Sequence, residues 1–416
     1  MSDSATPGSR FALAALGLGS FVVGTAELVI VGVLNVIADD LDVSAGTAGL
    51  LVTAYALGIA VGGPLLTALT MRLPRRTVLL LALAVFVAGN VIAVVTGVFG
   101  LLFVARAVCG ALHGLFVGAA TSVATGLVPA DRRGQAVSLV FGGISVATVL
   151  GVPVGTVVGQ GLGWRATFLC VVGLGVLALV IVALTVPHVS SSDTENLGSQ
   201  ARHAFAPRVL AMLAAYLLLM GSQFVAFTYL TPYVEDVTGI PSGAVSAFLL
   251  IFGVCSAIGT FGGGRFADKN ASGTLLAGNL VLIAALGALY VYGDNAVLAG
   301  LLLAVWGLVG FGVTSSLQLR VISLAGEGKD LAATLGASAA NAGIALGAAL
   351  GGWALSAHGA DAVPLVAMIA LVVALPVVWA TRFLTPPTPP DDAAATPVTG
   401  PSQPADSSDG LVGTIR

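Results

Sequence analysis

The stretch GTAELVIVGVLNVIADDLDVSAGTAGLLVTAYALGIAVGGPLLTALTMR (24–72) lies without a gap over GSQFVAFTYLTPYVEDVTGIPSGAVSAFLLIFGVCSAIGTFGGGRFADK (221–269), residue 24 falling on residue 221. That register matches Gly24 with Gly221, Asp39 with Asp236, Gly46 with Gly243 and Gly62 with Gly259. Further along, one residue closer in spacing, Gly151 and Gly155 fall on Gly347 and Gly351. The chain therefore reads as a duplication. Each copy carries six apolar runs, an even number that returns the chain to its starting side, so the copies are parallel and related by an axis along the membrane normal.

The composition requires lipid. Of 416 residues 57% are hydrophobic and 8% charged, whereas a soluble domain is about 45–50% apolar and about 25% charged. The apolar runs are long enough to cross a hydrocarbon core of roughly 30 Å as helices. They lack the alternation of a membrane β-barrel. Cutting at glycine, proline and charge clusters predicts an all-α membrane protein of twelve spans. These are 11–37, 47–70, 77–96, 99–127, 135–160 and 166–186 in the first half, and 208–232, 243–267, 273–292, 295–318, 331–356 and 363–384 in the second.

Residues 1–10 form a short N-terminal segment, 11–186 and 208–384 the two six-helix halves, 187–207 a Ser-rich linker, and 385–416 a Pro-rich, acidic tail that reads as disordered. The first apolar run is too long for a signal peptide and is expected to stay as a span. Lys and Arg fix the orientation. With a cytoplasmic N-terminus the inner loops take Arg10, Arg72, Arg75, Arg76, Arg132, Arg133, Arg202, Arg208, Arg265, Lys269, Arg320, Lys329, Arg382 and Arg416, and the outer side takes Arg165. Both termini are thus expected in the cytoplasm of a cell carrying the protein in its plasma membrane. A net charge of −3, with basic residues in short clusters, does not suggest nucleic-acid binding. Cys109, Cys170 and Cys255 stand singly without metal-ligand spacing and read as packing residues, so no metal is expected.

Ionisable residues within spans carry the functional signal, since a charge at mid-bilayer costs about 2.5–3.5 kcal/mol and needs a partner or a watery cavity. Glu27 is the acid well inside a span, about 15 Å from its outer end by helical rise. Arg106 lies about 10 Å deep and His113 about 20 Å deep on one face of the fourth span. If the first and fourth spans face each other, Glu27 can choose between Arg106 and a proton. Burial disfavours the charged carboxylate and a nearby cation favours it, so opening the cavity to either side could load or release a proton. The same residues could instead form a static pair joining two helices, with His113 a hydrogen-bonded histidine between them. Asn35, Gln223, Asn279, Trp306, Gln318 and Asn341 are the candidates to line a solute cavity. With Glu27 as the one acid, that cavity suits a neutral or weakly cationic solute, an amphipathic drug or a sugar.

Several motifs resemble those of the major facilitator superfamily, over about residues 11–384. MRLPRR (71–76) and GRFADK (264–269) look like the family's conserved loop, RAVCGALHG (106–114) is similar to its R-x-x-x-G motif, and GVPVG (151–155) with GWRATF (163–168) is similar to its antiporter motif. GTAELVIVGVLNVIADDLDVS (24–44) looks like the branch holding arabinose-efflux and chloramphenicol-efflux permeases. The resemblance implies alternating access, with Arg72, Arg75, Arg76, Gly264, Arg265, Asp268 and Lys269 at a cytoplasmic gate. It implies antiport through the fifth-span motif at Gly151, Pro153 and Gly155, and so export. Met71 stands where the family's loop carries an acid. Glycines at Gly143, Gly151, Gly155, Gly343, Gly347 and Gly351 would line helix faces that serve either static packing or rocking of the halves; Pro153 should bend the fifth span.

The expected function is a monomeric proton-coupled exporter of small organic molecules, driven by the proton gradient with no cofactor. A proton-symporting uptake permease is the alternative, and a non-transporting membrane sensor a more distant one. No paired-carboxylate or Ser/His constellation suggests an enzyme, and no phosphate-binding G-x-x-x-x-G-K-[ST] loop suggests an ATP-driven pump.

Overall fold

The computed structural model describes residues 7–129, 132–187 and 202–387. The expectations for most of the linker and for the tail beyond 387 fall outside them. Among the described residues every regular element is helical. The first span is Pro7–Leu28 continued by Ile30–Asp40, and the second is Ala45–Leu57 and Gly63–Leu69 joined by a π-turn at Gly58–Gly62. The third, fourth and sixth are Arg75–Val95, Phe99–Gly126 and Trp164–Thr185; the fifth is Arg133–Val146 and Val152–Leu162 joined by a π-turn at Ala147–Gly151. The seventh is Pro207–Phe227 with Leu230–Asp236, and the tenth to twelfth are Ala296–Ala325, Lys329–His358 and Ala362–Ala380.

Among the described residues eleven helices are long and apolar enough to cross a membrane. One of them, Ser242–Tyr292, has 51 residues, roughly 75 Å of helix and more than twice the hydrocarbon thickness. It is folded at Asn270, whose backbone leaves the helical region (φ −159°, ψ 82°). The Asn270 side chain accepts from the Gly273 amide at 2.9 Å, the bond of an N-cap starting a new helix. The eighth and ninth spans meet there, which restores the count of twelve.

Both π-turns stand just before a proline, Pro64 and Pro153. Proline has no amide hydrogen and its ring crowds the preceding turn. One extra residue in that turn absorbs the mismatch. The packing repeats in the two halves. Gly143 and Gly151 lie where a side chain would strike Gly17 and Thr25 of the first span; Gly343 and Gly347 lie likewise against Leu217 and Gly221 of the seventh. These glycine stripes therefore face a helix of their own half.

The halves meet along three seams, second against eleventh span, fifth against eighth, and first against seventh. Several hydrogen bonds across them, among the described residues, sit toward the end carrying Asp39 and Asp236. Thr231 Oγ1 donates to the Val31 carbonyl (2.7 Å), Thr53 Oγ1 to Ala345 (3.2 Å), and Asn35 Nδ2 to both oxygens of Glu235 (3.0 Å each). A side chain at Gly49 would strike the Tyr229 ring, so glycine is what lets the second span close on the seventh. Toward the opposite, arginine-bearing end, Gly63–Leu69 leans on the fourth span and Leu65 and Leu69 are exposed. A groove of about 860 Å³ opens there, lined by Leu13, Gly17, Phe21, Leu139 and Leu150 of one half and Phe261 of the other. The two halves are closed at the acidic end and parted at the arginine end.

Candidate functional site

The first span breaks at Val29, between Leu28 and Ile30, and a break frees carbonyls that the regular ladder would use. Arg106 supplies donors to two of them: Nη1 to the Ala26 carbonyl (2.7 Å) and Nη2 to the Glu27 carbonyl (3.3 Å). Its guanidinium lies 4.1 Å from the Tyr55 ring centroid, a cation–π contact between the second and fourth spans. Arg106 is 1% exposed, and its charge is met by these carbonyls and ring faces.

The Glu27 carboxylate does not take Arg106 as its hydrogen-bond partner. Its neighbour is His113, with Nδ1 3.5 Å from Oε2. Tyr55 Oη donates to the Val23 carbonyl at 3.0 Å and lies 3.2 Å from the same His113 Nδ1. A hydroxyl has one hydrogen, and with that hydrogen on Val23 the Tyr55 oxygen must accept. This assigns the imidazole hydrogen to Nδ1, donated to Tyr55 Oη. With Glu27 Oε2 3.5 Å from the same nitrogen, this N–H lies within electrostatic reach of an ionised Glu27. The Glu27 side chain is 16% exposed, on a span flanked by the fourth, fifth and sixth. Tyr55 was absent from the residues singled out by sequence, because a tyrosine in an apolar run carries no signal; its partners lie 32 and 58 residues away in the chain.

The remaining candidates do not form one cluster. Gln223 is buried beside Gly310 and bonded to its own helix at Leu219 (3.3 Å). Trp306 packs at right angles to Phe227 and Phe252, with no partner for its indole nitrogen. Gln318 bonds Ala333 of the eleventh span (3.2 Å). Asn341 bonds Ala337 one turn back (3.0 Å) and leaves its buried Oδ1 unpartnered. Asn279 is fully buried against the twelfth span, on Leu371 (3.4 Å), and Asn35 belongs to the seam at the acidic end. At the opposite end Arg72, Arg265, Asp268 and Lys269 are exposed, Arg75 and Gly264 half-buried, and Arg76 donates to Ala183 of the sixth span (2.6 Å). Gly151 and Gly155 press against Thr25 and Val29 of the first span, and Pro153 follows the π-turn.

The tryptophan and arginine after the fifth span form a clip. Trp164 Nε1 (3.1 Å) and Arg165 Nη1 (2.5 Å) both donate to Asp40 Oδ2, and Arg165 Nη2 donates to Thr96. Those bonds, Arg165 first and Trp164 second, hold the Asp40 carboxyl below its usual range.

Two six-span halves, with a buried ionisable cluster in the first, closed at one end and open at the other, have the architecture of a membrane transporter. The sequence profile of the Major Facilitator Superfamily matches residues 16–336, and the chain belongs to that family. It is 35% identical over 380 residues to the inner membrane transport protein YdhP of Escherichia coli (strain K12), covering 91% of this chain and 98% of that one. It is 33% identical over 336 residues to a chloramphenicol resistance protein of Streptomyces lividans, covering 80% and 86%. Among solved structures, a bacterial homolog of the human lysosomal transporter Spinster, in an inward-facing and unoccupied conformation, superposes with a TM-score of 0.76 at 16% identity, covering 92% of this chain and 98% of that one.

Proposed function

We propose that this chain is a proton-coupled exporter of small amphipathic organic molecules, with Glu27 as the coupling carboxylate. The observation that carries the reading is the partly accessible Glu27 side chain, beside His113 and next to the Arg106-capped break. Burial favours neutral Glu27, while the Nδ1–H of His113 and the Arg106 charge favour the anion. A change in access to this space shifts that balance and moves a proton. With the arginine loops inside, the closed acidic end is the outer one and the conformation faces inward. The groove at the inner mouth is mostly aliphatic and aromatic, which favours a solute with an apolar body. The antiporter-like GVPVG and the chloramphenicol resistance relative favour export over uptake.

The test is dissipation of a proton gradient in inverted membrane vesicles challenged with chloramphenicol, other amphipathic drugs and simple sugars. Wild type should dissipate the gradient with amphipathic compounds, and Glu27→Gln should not. An equal response from Glu27→Gln would place coupling elsewhere, and a response to sugars alone would overturn the solute class.

A further inference from the structure

At the acidic end a chain of hydrogen bonds crosses from one half to the other, and a backbone carbonyl fixes its polarity. Gln160 Nε2 lies 2.9 Å from the Gly32 carbonyl, which can only accept. The nitrogen of Gln160 is therefore correctly placed, and it also donates to Asn35 Oδ1 at 2.8 Å. With Oδ1 so engaged, the Asn35 amino group must face the opposite half. It lies 3.0 Å from each carboxylate oxygen of Glu235 on the seventh span. One amide hydrogen is thus shared between the two carboxylate oxygens, and the other points toward Gln160 Oε1, 3.5 Å away. Protonation of Glu235 removes the charge that strengthens this shared bond and puts a hydroxyl hydrogen on one of the two oxygens that accept it. The charged groups nearest Glu235 are Asp236 beside it and Asp39 of the first span.

We propose that Glu235 is a second proton-binding site, separate from Glu27, whose protonation unlatches the closed acidic end. The other described bonds between the halves at this end, Thr231 to Val31, Thr53 to Ala345 and Tyr229 to Gly46, are between neutral groups and give no response to acid. The Asn35–Glu235 contact is thus the proton-sensitive part of the closure. Asn35, expected from the sequence to line a solute cavity, serves here as the other side of the latch. The proposal does not depend on the direction of transport or on coupling at Glu27.

The test measures the width of this end by paired spin labels at Gly97→Cys and Gly243→Cys. These sites lie on opposite halves with open space around each; the accessible Cys170 and Cys255 are replaced by serine. In wild type, lowering pH from about 8 to about 4, into the ordinary carboxyl range, should raise the long-distance to short-distance ratio about tenfold, the effect of removing the charge from one hydrogen-bonded carboxylate. Glu235→Gln should hold the raised ratio at both pH values, as should Asn35→Ala. A flat wild-type profile or an undiminished response in Glu235→Gln would each overturn the proposal.

Discussion

The two halves of the molecule share a backbone and differ in what they bury at the same place. In the first half Gly110 lets the fourth span approach the Tyr55 backbone; at the matching position of the second half Gly307 lets the tenth span approach Phe252. The close helix contact has been kept in both copies. Around it Glu27, Tyr55, Arg106 and His113 correspond to Phe224, Phe252, Leu303 and Gly310. One copy holds an ionisable cluster, and the other holds rings, with Phe252 stacked on Phe227 at 4.8 Å and edge-on to Trp306 at 5.2 Å. The difference implies a division of labour. On the proposed function, proton binding would fall to the first half, and the rings of the second would shape the solute path from behind its surface.

Removing the largest ring tests that division most strongly. Trp306→Ala should destabilise the protein by about 3–5 kcal/mol, as large-to-small changes in a packed core do, seen as a lower unfolding temperature in detergent. It should weaken solute binding and leave proton binding at Glu27 intact; loss of both would show that the halves do not work separately. A smaller effect is expected from Tyr55→Phe, which removes the acceptor for His113 Nδ1–H at a cost of about 1 kcal/mol. Proton flux should slow several-fold with solute affinity unchanged, whereas an equal loss of both would reduce Tyr55 to packing. The smallest effect concerns the clip at Asp40. Arg165→Gln should cost at most about 1 kcal/mol at neutral pH, because the pair is exposed. The Asp40 carboxyl is held below its usual value, so the clip contributes above the ordinary carboxyl range and is lost as pH falls through the folded-state value. Unfolding curves of variant and wild type should therefore converge in acid.

Much of the fold was legible because lipid leaves few alternatives. The length of each apolar run sets a span, and the duplicated glycines correspond to repeated helix contacts. The eighth and ninth spans show where reading stops: GRFADKNASG looks like a loop, and the chain turns at one residue, Asn270, that caps the next helix. In the site, Glu27, Arg106 and His113 stood out as charges in apolar runs. Their pairing did not, because it depends on the break at Val29, which no adjacent proline or glycine announces. That break opens the Ala26 and Glu27 carbonyls to Arg106 and leaves the Glu27 carboxylate to His113. The Asn35–Glu235 latch was invisible for a related reason, since its partners are 200 residues apart. Asn279 looked available to a solute, but helical periodicity does not say which neighbour a polar face meets, and here it is the twelfth span.

The central claim is that Glu27 exchanges a proton against a solute. It is tested most directly by adding an amphipathic solute such as chloramphenicol to purified protein in weakly buffered detergent and following pH with an indicator dye. The account predicts proton release from wild type and none from Glu27→Gln, with the Glu27→Gln protein still binding the solute. Release of equal size from both proteins would contradict it.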